Sequence, residues 1–143
     1  MVLELMRVTA SMRRFARRSI ASSLGYPPLP EAQRELLLVV STCPGIGVAA
    51  AAAELGLAGN SVSTLVNALV EAGLLRRETD PADRRAARLM LTEAASERLR
   101  RWREARGELL GTALDQTEPA DRSAIEAALP ALRRLHAALV GGR

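Results

Sequence analysis

With 143 residues and a formal charge of +4 from 20 basic and 16 acidic side chains, the chain is long enough for one domain with its own core, or for one small domain plus extensions. Every cation is arginine; apolar residues make up 48% of the chain and aromatics only 2%, which disfavours wholesale disorder and favours helix-on-helix packing of Leu, Ala and Val. A single cysteine excludes an internal disulfide, and a single histidine, with no Gly-rich phosphate loop and no metal-ligand cluster, speaks against an enzyme and against a bound metal.

Residues 3–24 read as one helix, with Leu3, Met6, Ala10, Phe15 and Ile20 near helical spacing and arginines at positions 7, 13, 14, 17 and 18 between them. Such a helix can lie on a membrane or pack on a partner subunit, and the second reading is favoured. The segment has no uninterrupted apolar stretch of the kind a secretory signal needs, and no run in the chain approaches the ~20 residues of a membrane span. A reduced cytoplasm, with no membrane partner, is the expected setting. Gly25 to Pro30 is a stop-and-turn segment. The next helix runs from about Glu31 to Thr42; its Leu36–Val40 run would also suit a buried strand, but its helix formers and length favour a helix. Cys43-Pro44-Gly45 ends it, and Cys43 reads as a small buried apolar group rather than a redox switch.

Val48 to Leu55 is dominated by Ala, the best helix former, with Gly56 as the break and Leu57 placed to plug the angle to the following helix. That helix, roughly Asn60 to Ala72, sets Val62, Leu65, Val66 and Leu69 on one face and Asn60, Ser63, Thr64, Asn67 and Glu71 on the other. A merely solvated face usually carries Lys, Glu or Arg, whereas a face of small amides and hydroxyls can approach base edges in a DNA major groove. Gly73 suits the C-terminal cap, Leu74 to Thr79 a strand, Asp80 to Asp83 a turn, and Ala87, Leu89 and Leu91 a returning strand. Thr92 is the expected N-cap of a helix to about Leu114, along which Ala95, Leu99, Trp102, Leu109 and Ala113 trace an apolar seam. Trp102 reads as core or dimer seam before it reads as a ligand wall. The last helix, about Ala120 to Val140, carries Ile125, Leu129, Leu132, Leu135 and Leu139, with Pro130 inside it as an expected kink and His136 as a surface or interface residue. Two long terminal helices with apolar seams exceed what the central module can cover, so a twofold dimer is the economical arrangement.

A helix–turn–helix followed by a hairpin is the winged-helix arrangement, and here its details resemble the multiple antibiotic resistance regulator (MarR) family. The resemblance is carried by the segment from Glu54 to Leu69, by Ala72-Gly73-Leu74-Leu75-Arg76-Arg77, and above all by Asp80-Pro81-Ala82-Asp83-Arg84-Arg85-Ala86 followed by Leu91-Thr92-Glu93-Ala94. Leu29-Pro30-Glu31-Ala32-Gln33 is similar to the start of that family's second helix. The resemblance implies a mainly α fold with a small β-hairpin. It implies a single domain over 1–143, in which a winged helix-turn-helix DNA-binding region (29–91) is flanked by N- and C-terminal dimerisation helices (1–28 and 92–143).

It further implies a sequence-specific transcriptional regulator, usually a ligand-responsive repressor, acting as a homodimer on a pseudo-palindromic operator in double-stranded DNA. The effector would be a small aromatic or phenolic molecule held between the dimer and DNA-binding regions, with no other cofactor. Carried over residue by residue, the DNA contacts fall on Asn60, Ser61, Ser63, Thr64 and Asn67 of the recognition helix and on Arg84 and Arg85 at the wing tip, with Asp83 holding an arginine or the turn backbone. Asn can pair bidentately with adenine, Ser and Thr can serve bases or phosphates, and a wing guanidinium can enter a narrow minor groove. Two positions depart from the family pattern: Thr64 and Ala68 stand where a basic residue is frequent, and Ala58 stands where a Ser or Thr cap is usual, so that Asn60 is expected to cap a slightly shorter helix. The alternative function is a winged-helix protein-interaction module without DNA binding.

Overall fold

A computed structural model of the chain describes residues 1–25, 27–79 and 87–142. The elements in order are α1 (Val2–Ser23), α2 (Glu31–Thr42), α3 (Val48–Leu55), α4 (Gly59–Glu71), β1 (Leu75–Thr79), β2 (Ala87–Leu91), α5 (Glu93–Asp115) and α6 (Pro119–Gly141). Among the described residues no helix is long and apolar enough to cross a membrane. The chain falls into two compact units, residues 1–105 and 106–143.

The core of the first unit is assembled from short apolar faces. Leu36, Leu37 and Val40 of α2, Ala51 and Ala52 of α3, and Val62, Val66 and Leu69 of α4 are buried together with Leu75 and Leu89 of the hairpin and Ala95 and Leu99 of α5. The two alanines contribute little bulk, which lets α3 lie close against its neighbours. Leu57 does not plug the angle between α3 and α4: it is 41% exposed. It follows the left-handed Gly56, and although its N–H bonds back to the Ala52 carbonyl, its side chain turns outward.

The passage from α4 into β1 is fixed by local chemistry. Gly73 takes the left-handed conformation (φ +68°); its N–H bonds to the Val70 carbonyl, and the Leu74 N–H bonds to the Leu69 carbonyl at 2.8 Å. These are the two bonds of a Schellman cap, and buried Leu69 and Leu74 supply its accompanying apolar pair. Thr92 then locks the start of α5 to this corner. Its hydroxyl accepts from the Ala95 N–H at 3.2 Å, as an N-cap should, and donates to the Gly73 carbonyl at 2.7 Å.

β1 and β2 pair antiparallel in the register Leu75↔Leu91, Arg77↔Leu89, Thr79↔Ala87. The outer edge of β2 is not left open. The Gly45 N–H bonds to the Leu89 carbonyl at 2.9 Å, the Leu89 N–H to the Ile46 carbonyl at 3.0 Å, and Gly47 forms a bridge with Arg88. The α2–α3 connection thus pairs with β2 through an isolated bridge and roots the two-stranded hairpin in the helical module. Gly45 suits this corner because its φ is +84°, a conformation that side chains with a Cβ rarely adopt.

Cys43 corrects the sequence reading. It is exposed, not buried, because it is the C-cap of α2 and its extended backbone (φ −126°, ψ 73°) leaves the helical rotation that buries Leu36, Leu37 and Val40. On α1 only Ala16 and Ile20 are buried; Arg13 and Arg17 both reach Glu31 at the start of α2, at 2.9 and 3.4 Å. Met6, Val8, Met12 and Phe15 remain 43–63% exposed. Along α5, the guanidiniums of Arg100 and Arg101 bond to Glu97 and hold its carboxyl down to about 2.

In the second unit α6 starts with Pro119 in its first turn and is continuous through Pro130. Every described side chain of α6 is exposed, including Ile125, Leu129, Leu132, Leu135 and Leu139.

Candidate nucleic-acid interface

α4 presents its two faces as its sequence dictates. Val62, Val66 and Leu69 are fully buried, while Asn60, Ser61, Thr64, Asn67 and Glu71 are exposed and Ser63 is half-buried. The helix begins one residue earlier than its apolar pattern suggests, with Ala58 as an N-cap that offers no side-chain acceptor. Asn60 therefore sits inside the first turn rather than capping it, where its Oδ1 accepts from the Ser61 N–H at 2.8 Å. It still satisfies one of the otherwise open first-turn donors.

The hydroxyls of the stripe are turned back onto the helix. Ser63 donates to the Gly59 carbonyl at 2.9 Å and Thr64 to the Asn60 carbonyl at 3.1 Å. Their protons are thus engaged, and the oxygens are left as outward acceptors that suit a cytosine or adenine amino group. Rotation of either hydroxyl would convert it to a donor at the loss of one weak local bond.

Asn67 is engaged differently from the bidentate adenine reader its position suggests. Its Oδ1 accepts from Arg77 Nη2 at 2.7 Å, so the amide carbonyl faces β1 and the NH₂ is the end available to a ligand. Arg77 escapes a reading of α4 alone because it lies ten residues further on, in the strand. The signal that finds it is the strand period of two: Arg77 shares a face with buried Leu75 and so points toward α4, whereas Arg76 points away and pairs with Glu78 at 2.8 Å. Arg84, Arg85 and Asp83, the wing-tip residues of the sequence reading, lie outside the described residues.

A second candidate site is a cleft of about 550 Å³, mouth included, in the first unit between α1, the Pro27–Leu29 linker, α2 and α5. Ile20, Leu24 and Leu99 form its apolar lining, with Arg17, Arg34 and Arg98 among its polar groups. Trp102 belongs to this cleft rather than to a sealed core: it is half-buried, and the Arg34 guanidinium lies 5.3 Å from its ring centroid. Arg34 also bonds Glu31 and Glu35, each at 3.2 Å, yet its Nε–H is buried without an acceptor among the described residues.

Comparison with known proteins agrees with this architecture. A model of the MarR family matches residues 28–86, from the linker before α2 to the residue before β2. A protein of Thauera aromatica described as a transcriptional regulatory protein for the hcr operon is 33% identical over 96 residues, which span 67% of this chain and 55% of that protein. The crystal structure of RV1404 from Mycobacterium tuberculosis superposes with a TM-score of 0.81 at 25% identity, covering 93% of this chain and 90% of that one. A mutant of Staphylococcus aureus MepR bound to an oligodeoxyribonucleotide has the same fold, with a TM-score of 0.68 at 20% identity over 97% of this chain and 98% of its own. Over residues 28–86, which hold α2, α3, α4 and β1, the chain belongs to the MarR family.

Proposed function

We propose that the chain binds double-stranded DNA as a homodimer and represses transcription from a pseudo-palindromic operator until a small aromatic or phenolic effector releases it. The observation that carries this reading is the exposed amide-and-hydroxyl stripe of α4, backed by a rigid apolar face and flanked by the arginine-bearing hairpin. A MepR mutant of the same fold is bound to an oligodeoxyribonucleotide, and helix-turn-helix proteins set their second helix in the major groove, which together support that role for α4. The exposed apolar faces of α1 and α6 support pairing of two chains. Two recognition helices would then meet half-sites about 34–36 Å apart on one face of the duplex.

The experiment is a gel shift with the DNA upstream of the chain's own gene, repeated over a range of salt. Affinity should fall with salt at a log–log slope of about −0.9 per neutralised phosphate. Replacing Arg84 and Arg85 together by Ala should weaken binding to every sequence alike. Binding of the double variant at the parent's strength would remove the wing from the interface. No shift with any duplex would favour the protein-interaction alternative.

The cleft supports the effector reading. It is largely apolar and aromatic, as small-molecule sites are, and its arginines suit an acidic or phenolic oxygen. Trp102 is the only tryptophan, so its emission reports the cleft directly. Titration with benzoate should quench it saturably and more strongly than titration with phenol, and should weaken the gel shift in parallel. Emission and DNA affinity that both ignore benzoate and phenol would sink the effector site.

A further inference from the structure

We infer that Arg77 supplies positive charge to the recognition surface: carried by β1 and held by Asn67 of α4, it neutralises a phosphate on the edge of the groove that α4 enters. The inference rests on the DNA-binding reading above.

Its starting point is a gap in the charge. The chain has 20 arginines, yet residues 35–75, which span α3, α4 and the turn between them, contain no cation at all. The same stretch holds Glu35, Glu54 and Glu71, the last two exposed. A surface of that sign should repel a polyanion, because phosphate neutralisation supplies most of the non-specific affinity for DNA.

The first cations after the gap are Arg76 and Arg77, and the structure treats them oppositely. Arg76 is spent on Glu78 at 2.8 Å. Arg77 donates to a neutral amide oxygen, that of Asn67, at 2.7 Å. Its position is thereby fixed without its charge being cancelled. Only one of the five N–H donors of a guanidinium is needed for that bond, and the others form the fork that suits a phosphate.

Placement decides between phosphate and base. Arg77 approaches from the strand beside α4, not from the helix surface that would face the groove floor, and it is anchored at Asn67 in the second half of the helix. A side chain held at the flank of a recognition helix meets the groove's edge, which is sugar and phosphate. Asn67 is accordingly a positioning residue for Arg77 as well as a candidate contact.

The test uses duplexes recovered by the full chain from a random double-stranded pool, with dissociation constants measured by fluorescence anisotropy against KCl concentration. The parent is measured first; recovery of no duplex would overturn DNA binding itself, and the inference with it. Given a selected duplex, Arg77→Ala should reduce the log–log salt slope by about 1.8, about 0.9 for each chain of the dimer, and weaken selected and unselected duplexes by the same factor. Arg77→Lys should restore most of the slope. Asn67→Asp, which offers the same guanidinium a carboxylate, should lose as much as Arg77→Ala although Arg77 is present. Both side chains are exposed, so thermal midpoints should match the parent's and exclude misfolding. An Arg77→Ala variant with the parent's slope and affinity would overturn the inference. So would an unchanged slope with altered preference at one base pair, which would make Arg77 a base reader.

Discussion

Replacing Leu132 and Leu135 with arginine should convert a dimer into a folded monomer and reduce operator affinity by about 10²–10⁴. The reason lies in α6, where no described side chain is buried and the apolar positions Ile125, Leu129, Leu132, Leu135 and Leu139 are 41–69% exposed. Their spacing of three and four residues makes one continuous stripe, the pattern of a helix that packs against another. On α1, Leu3, Met6, Met12 and Phe15 are 52–83% exposed. Large leucines half out of water represent roughly 1 kcal/mol each that pairing would recover. In a twofold interface each residue counts twice, so two substitutions place four guanidiniums in one apolar seam. Sedimentation velocity at micromolar concentration measures the outcome, with circular dichroism to confirm that the helices persist. The core of the first unit contains neither leucine, so its folding should not change. A variant that sediments as the parent does, or a parent that is itself monomeric, would contradict the pairing.

Most of the helical framework is legible in the sequence because its signals are local. The bounds of α2 and α3 follow from the Pro30 start, the Pro44 stop and the Gly56 break, and the N-cap role of Thr92 follows from its place before a helical pattern. The exposed stripe of α4 is equally local, since 3.6-residue periodicity alone separates Asn67 from Leu69. What escapes is decided by contacts distant along the chain. The pairing of Gly45–Gly47 with β2 crosses more than forty residues, and nothing in Cys43-Pro44-Gly45 distinguishes a segment bridged to a strand from a plain turn. The exposure of Cys43 depends on the backbone leaving the helix at that residue. The place of Trp102 depends on Arg34 arriving from another helix to stack on its ring. The bond between Arg77 and Asn67 requires knowing which side of β1 faces α4. The sequence pattern thus identifies what α4 can offer a ligand, and only the packed hairpin reveals where its positive charge comes from.

Leu69→Ala should lower stability by about 2–5 kcal/mol while leaving the chemistry of the reading face untouched. Leu69 is fully buried on the side of α4 opposite the amide-and-hydroxyl stripe, in contact with the cluster that joins α2, α3 and the hairpin. It also provides the carbonyl that accepts from Leu74 and, with buried Leu74, the apolar pair of the cap that turns the chain into β1. Truncation removes apolar contact from two elements at once and leaves a cavity that neither backbone can collapse into. For a chain of this size the loss corresponds to a fall in thermal midpoint of roughly 6–20 °C, measured at one fixed protein concentration because the proposed pairing would make the midpoint concentration-dependent. Val70→Ala on the same helix is the control: Val70 is 36% exposed, and its truncation should cost less than about 1 kcal/mol. At a temperature where both variants are folded, both should bind selected DNA with the parent's salt slope, since neither removes a charge or a polar group from α4. A Leu69→Ala midpoint close to that of Val70→Ala would mean that α4 is not held by this face. The rigid presentation of Asn60, Ser63, Thr64 and Asn67 would then need another support.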